Sequence, residues 1–160
     1  MTLARIAGAL LLAAALLAAP LAGQPQQSRL DRERSRFQSE TDPIRRAKAL
    51  AKLGDEKLKV LHQELSAGEF DEARELMDSH LNNVKSTIEG LKASGRDAEK
   101  KPDGFRQLEM HLRRSIRSLD EAILAMPVDE RERFVEIKGE LDVIDRELLQ
   151  MIFPRRPGRK

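Results

Sequence analysis

The chain has no cysteine, no tryptophan and no tyrosine, and aromatic residues make up only 3 % of it. Without cysteine there can be no disulfide staple, no thiolate nucleophile and no thiolate metal ligand. With five phenylalanines as the only aromatic side chains, base stacking on aromatic platforms has little to work with. The nine glycines are scattered, and no Gly-rich phosphate-cradling loop is formed from them. Neither Gly-x-Ser-x-Gly nor Ser-x-x-Lys occurs.

What is present in quantity is charge and aliphatic residues. Of the 160 residues, 35 % are charged and 40 % hydrophobic. The net charge of +2 is misleading. Arg5 lies in an N-terminal apolar segment, and Arg155, Arg156, Arg159 and Lys160 fall in the last six positions. Removing these five leaves 24 basic against 27 acidic residues, 24 − 27 = −3. Such a body does not present the dense basic stripe of a nucleic-acid binder.

Residues 1–23 (MTLARIAGALLLAAALLAAPLAG) have the layout of a secretory signal peptide. Arg5 supplies the positive start, Ile6 to Ala19 the apolar run, Pro20 the break and Leu21-Ala22-Gly23 the small residues before cleavage. The alternative is a retained N-terminal membrane anchor, since the uncharged run from Ile6 to Gly23 is 18 residues, at the lower edge for spanning a bilayer. Leu21-Ala22-Gly23 resembles the start of a bacterial lipoprotein box, but Gln24 stands where the lipidated cysteine would be. The pattern therefore predicts an exported protein, periplasmic or extracellular, with no membrane span after cleavage.

Residues 24–42 are polar and alternate in charge, which predicts a disordered linker with at most a transient helix near Leu30 to Phe37. From residue 43 the apolar residues recur at spacings of three and four. A first helix starts at Pro43 after an Asp42 N-cap, carries Ile44, Ala47, Ala51, Leu58, Leu61 and Leu65, and ends at Ser66-Ala67-Gly68. Gly54 falls on its stripe, where it admits a close neighbour or costs about 1 kcal/mol of helix propensity. A second helix runs from about Glu69 to Ala93, and a third from about Phe105 to Ala125. Pro127 stops the third helix or kinks it. A fourth starts near Asp129, whose carboxylate with Glu132 forms a capping box. Residues 154–160 then form a disordered basic tail. The predicted fold is all-α: an antiparallel up-down bundle of three to four long amphipathic helices spanning 43–153. Leu50, Leu53, Ala73, Leu76, Leu149 and Ile152 are apolar beside the seam, which implies a wide core or a dimer surface. Gly68-Glu-Phe-Asp-Glu-Ala73 faintly resembles a tetratricopeptide-repeat turn, but no fixed period links the two halves.

The three histidines are the only candidates for metal binding or general-base chemistry. None of His62, His80 and His111 has a carboxylate or second histidine three or four residues away. They read as half-exposed residues beside the seam, so no catalytic residue, metal or cofactor is predicted. Arg106, Arg113, Arg114 and Arg117 on the third helix form a candidate anion or acidic-partner patch, against which stands charge complementarity with Glu136 and Glu140 of the next helix. The basic tail gives weak, salt-sensitive contact with anionic surfaces.

Two functional classes remain. One is a non-catalytic structural or interaction protein of the cell envelope, pairing with a protein partner or with itself. The other is a holdase chaperone. Small, exported, cysteine-free helical proteins with polar ends resemble in type the Spy/CpxP group of periplasmic stress proteins. The Leu-Thr-x-x-Gln helix start of that group is replaced here by Met126-Pro127-Val128-Asp129-Glu130-Arg131-Glu132-Arg133-Phe134.

Overall fold

A computed structural model of the chain describes residues 24–154. The signal-peptide segment 1–23 and the basic residues Arg155 to Lys160 lie outside the described residues. Within them the protein is all-α: α1 (Gln24–Ser39), α2 (Pro43–Ala67), α3 (Phe70–Ala93), α4 (Phe105–Ala125) and α5 (Glu132–Ile152). No helix among them is long and apolar enough to cross a membrane.

The ends of α2 follow from the sequence. Asp42 sits in extended backbone, its Oδ1 accepts from the Arg45 N–H at 2.9 Å, and Pro43 takes the first helical position. Gly68 ends the helix in the left-handed region (φ 79°), and the N–H of Glu69 bonds back to the Glu64 carbonyl. Gly104, also at positive φ, precedes α4. A Cβ there would lie 2.8 Å from Ile44 Cδ1 and 3.0 Å from Leu91 Cδ2, so one end of the bundle closes on this glycine.

Two expectations are corrected. Residues 24–39 are not a solvated linker but α1. Only Leu30 and Phe37 are large and apolar in it, yet they stand two turns apart on one face, and both are buried in the common core. Arg46 of α2 holds the end of α1. Its guanidinium lies 4.2 Å from the Phe37 ring centroid and donates to the carbonyls of Phe37 and Glu40. The long helices therefore number five, not three to four. Second, Asp129 caps nothing, although Pro127 follows the end of α4 as the sequence predicts. Val128 to Glu130 form a 3₁₀ turn, and α5 starts at Glu132 without a side-chain cap. Arg131 instead donates to the carbonyls of Met126 and Leu124, satisfying the exposed end of α4.

Directions alternate along the chain, but neighbours are mixed. α2 and α3 form one antiparallel hairpin, α4 and α5 the other. The hairpins lie side by side, so that α2 runs parallel to α4 and α3 parallel to α5. Arg133–Asp78, Lys85–Glu140 and Lys92–Glu147 tie α3 to α5 at a constant offset of 55 residues. α1 then lies on α2. The apolar positions beside the seam go into this wide core: Leu50, Leu53, Ala73 and Ile152 are buried, and Leu76 packs against it half-buried.

Candidate functional site

The aliphatic core is interrupted by a polar layer built from three helices. α2 contributes Gly54, Asp55 and Lys57, α3 contributes Ser79 and His80, and α4 contributes His111, Arg114 and Ser115. His80, His111, Ser115 and Lys57 are all fully buried. For the histidines this corrects the half-exposed reading; only His62 is exposed. The cause is Gly54. A Cβ at that position would sit 2.1 Å from His111 Nε2 and 2.9 Å from His80 Cε1, so the missing side chain is the space the two rings occupy. The rings meet edge to face, centroids 5.2 Å apart.

Ser115 Oγ lies 3.3 Å from the Nε2 atoms of both histidines and donates to the His111 carbonyl at 3.1 Å. Ser115 Oγ is thus the polar atom that the two rings share. Neither Nδ1 has a hydrogen-bond partner. His111 Nδ1 faces Asp55 Oδ1 at 3.5 Å, and Arg114 reaches the same oxygen at 3.4 Å. His111 foremost, then Arg114, hold the Asp55 carboxyl below the usual range. Burial pushes the His80 imidazole well below its ordinary range, and nearby His111 and Lys57 push the same way. Lys57 donates to Ser79 Oγ at 2.9 Å and has no carboxylate partner. Burial, with Arg34 of α1 adding to it, lowers its ammonium to about 7.

Asp55, His111 and Ser115 stand in the order of a hydrolytic triad. The chemistry does not follow from the order. Asp55 is beyond good hydrogen-bond length, the Ser115 hydroxyl is spent on its own helix, and a substrate could reach Oγ only by opening the bundle. Among the described residues, no set of three or more His, Asp or Glu is placed to hold a metal ion.

The four arginines singled out on the third predicted helix are divided. Arg114 turns to α2 and Asp55. Arg113 pairs with Glu109 of its own helix and lies near Asp145 of α5. Arg106 and Arg117 are exposed, with no ion pair. Glu136 and Glu140, the expected partners on α5, are taken by Arg133 and Lys85.

An opening lies at the end of the bundle where α2 turns into α3 and α4 stops. It is a half-open cleft of about 430 Å³, walled by Leu65, Phe70, Ala122, Ala125, Met126 and Pro127, with His62 and Glu121 also lining it. His62 is fixed there by Ser118 Oγ at 3.0 Å. Close by in sequence, Leu124 and Val128 are 77 % and 78 % exposed, the two most exposed large apolar side chains described. The polar layer was readable in part: Gly54 on an apolar stripe signals a close approach, but only the pairing of α2 with α4 shows that His111 fills it. No protein-family model matches this chain, and no curated protein or solved structure matches it.

Proposed function

We propose that this chain is an exported, non-catalytic helical bundle that acts by docking a protein partner or a second copy of itself in the cell envelope. The observation that supports this reading is the apolar cleft at the α2–α3 end, with the exposed Leu124 and Val128 flanking in sequence its lining residues Ala125 to Pro127. Large apolar side chains left exposed next to an open apolar cleft are a feature of interaction surfaces. The closed polar layer supports a structural rather than a catalytic core.

The test is a photo-crosslinking residue at position 124 or 128, used in the protein's own cells at native level. One recurrent adduct, to a single partner or to the protein itself, is the expected result. Absence of any adduct at these positions, with adducts elsewhere, would remove the cleft from consideration. The concave shape of the cleft also favours a second reading, a Spy/CpxP-like holdase. That reading requires many unrelated envelope proteins in the adducts and suppression of their aggregation by the purified protein.

A further inference from the structure

A second surface stands apart from the apolar cleft. Between residues 24 and 53 there are eight Lys and Arg against four Asp and Glu, 8 − 4 = +4. Between 54 and 154 there are sixteen against 23, 16 − 23 = −7. Because α1 lies antiparallel on α2, the fold brings Arg36 of α1 beside Arg45, Lys48 and Lys52 of α2. Where the two helices diverge they leave a cleft of about 320 Å³ lined by Arg36, Glu40, Arg45, Lys48, Ala49 and Lys52. The one acid is already engaged: Glu40 accepts from the Asp42 N–H and from Arg45 Nε. Arg36, Lys48 and Lys52 are exposed and make no ion pair, and neither do Arg29 and Arg32 further along α1, where Glu33 and Glu56 line one opening with them. Elsewhere the cations are mostly answered: Arg74, Lys85, Lys92, Arg133 and Lys138 each meet a carboxylate.

We infer that this α1–α2 face binds the phosphate headgroups of an anionic phospholipid bilayer. Its cations are long, exposed and spread along two helices over an open cleft, which suits a plane of headgroups better than one enclosed small anion. Over all of residues 54–160 the balance is 20 − 23 = −3, so the excess positive charge is on this part of the chain and turns it toward such a surface. At about fivefold in partitioning per basic side chain near an anionic surface, five free cations give measurable, salt-sensitive binding.

The experiment is co-sedimentation of the protein, in the processed form its own cells accumulate, with vesicles of phosphatidylglycerol in phosphatidylcholine and of phosphatidylcholine alone. The expected result is binding to the anionic vesicles only, weakened roughly 25-fold in K48Q/K52Q. The equal charge change R106Q/R117Q on α4 should cost fivefold or less. Far-UV circular dichroism shows that each variant keeps its helices. Equal binding to neutral vesicles overturns the inference, as does an unchanged K48Q/K52Q. So does an equal loss in R106Q/R117Q, which would mean net charge alone, or binding of soluble polyphosphate without binding of vesicles.

Discussion

Acid should weaken this fold as the pH falls below 6.5, and His80 is the reason. Its imidazole is wholly buried against His111 and Gly54, and burial holds its folded-state proton affinity well below that of an exposed histidine. Above pH 6.5 both folded and unfolded states carry it neutral, and it contributes no pH dependence. Below 6.5 the unfolded chain takes up the proton and the folded chain does not. Stability then falls by about 1.4 kcal/mol per pH unit, until the lowered folded value is reached. Between pH 6.5 and 5.0 the loss is about 2 kcal/mol, a large share of the 5–15 kcal/mol typical of a domain. The charges on neighbouring elements do not offset this. His111 of α4 and Lys57 of α2 both oppose protonation, and Arg34 of α1 acts on Lys57 in the same sense. Asp55 faces His111 rather than His80. The carboxylates of α5 are occupied with Lys85, Lys92 and Lys138, or lie by Glu109. Glu64 and Asp145, raised by burial, gain stability as pH falls, but they do so equally in a His80→Leu variant. Urea unfolding followed by far-UV circular dichroism is the assay, since the chain has no Trp or Tyr to report by fluorescence. The difference in stability between wild type and His80→Leu should shift by about 2 kcal/mol from pH 6.5 to 5.0. Parallel pH profiles, within about 0.5 kcal/mol, would refute the reasoning.

Three further outcomes follow from the same layer and from α1. Lys57→Met should stabilise the protein at pH 7 by about 1–3 kcal/mol, because it removes a buried, unpaired amine at the expense of one hydroxyl contact. It should also abolish the rise in wild-type stability expected from pH 7 toward 10.5, where the unfolded lysine loses its proton; equilibrium unfolding at pH 7 and 9.5 checks both. Gly54→Ala should destabilise by about 2 kcal/mol or more although it gains about 1 kcal/mol in helix propensity, since its methyl would meet the His111 ring. The same change in a His111→Ala background should be neutral or favourable, which a double-mutant cycle measures. Phe37→Ala should cost about 3 kcal/mol and release α1, seen as rapid tryptic cleavage at Arg29 to Arg36 that the wild type resists.

The elements with a strict three-four seam were legible from the sequence. α4 has the predicted span of Phe105 to Ala125, and α2 starts and stops at its predicted caps. α1 was not, because two apolar residues in sixteen make no period; its helix is fixed by burial of Leu30 and Phe37 and by Arg46. The start of α5 was missed for a local reason: the capping signature at Asp129 is real in the sequence, but Arg131 satisfies the α4 carbonyls and a tighter turn forms instead. The polar layer was hidden because its members are remote in sequence. A search for ligand spacing within one helix cannot find His80 and His111, which are brought together by α2 standing between them.

That layer also gives the bundle a register its aliphatic seam alone would not. Residues at spacings of three and four interlock almost as well after one helix slides seven positions along another. In the observed pairing α4 stands 56 positions on from α2: His111 against Asp55, His62 against Ser118. A slide of seven would set His111 beside Ala47 or near Leu61, both buried and apolar. Either side chain would occupy space that the imidazole fills at Gly54, and Asp55 would lose His111. A clash of the imidazole with a methyl costs about 1–3 kcal/mol. The single glycine in the α2 stripe and the α4 histidine that packs on it therefore select one alignment of α2 and α4 from several of similar apolar burial. In a chain with no disulfide and few aromatic rings, that selection rests on polar residues placed inside the core, where they cost stability and supply specificity.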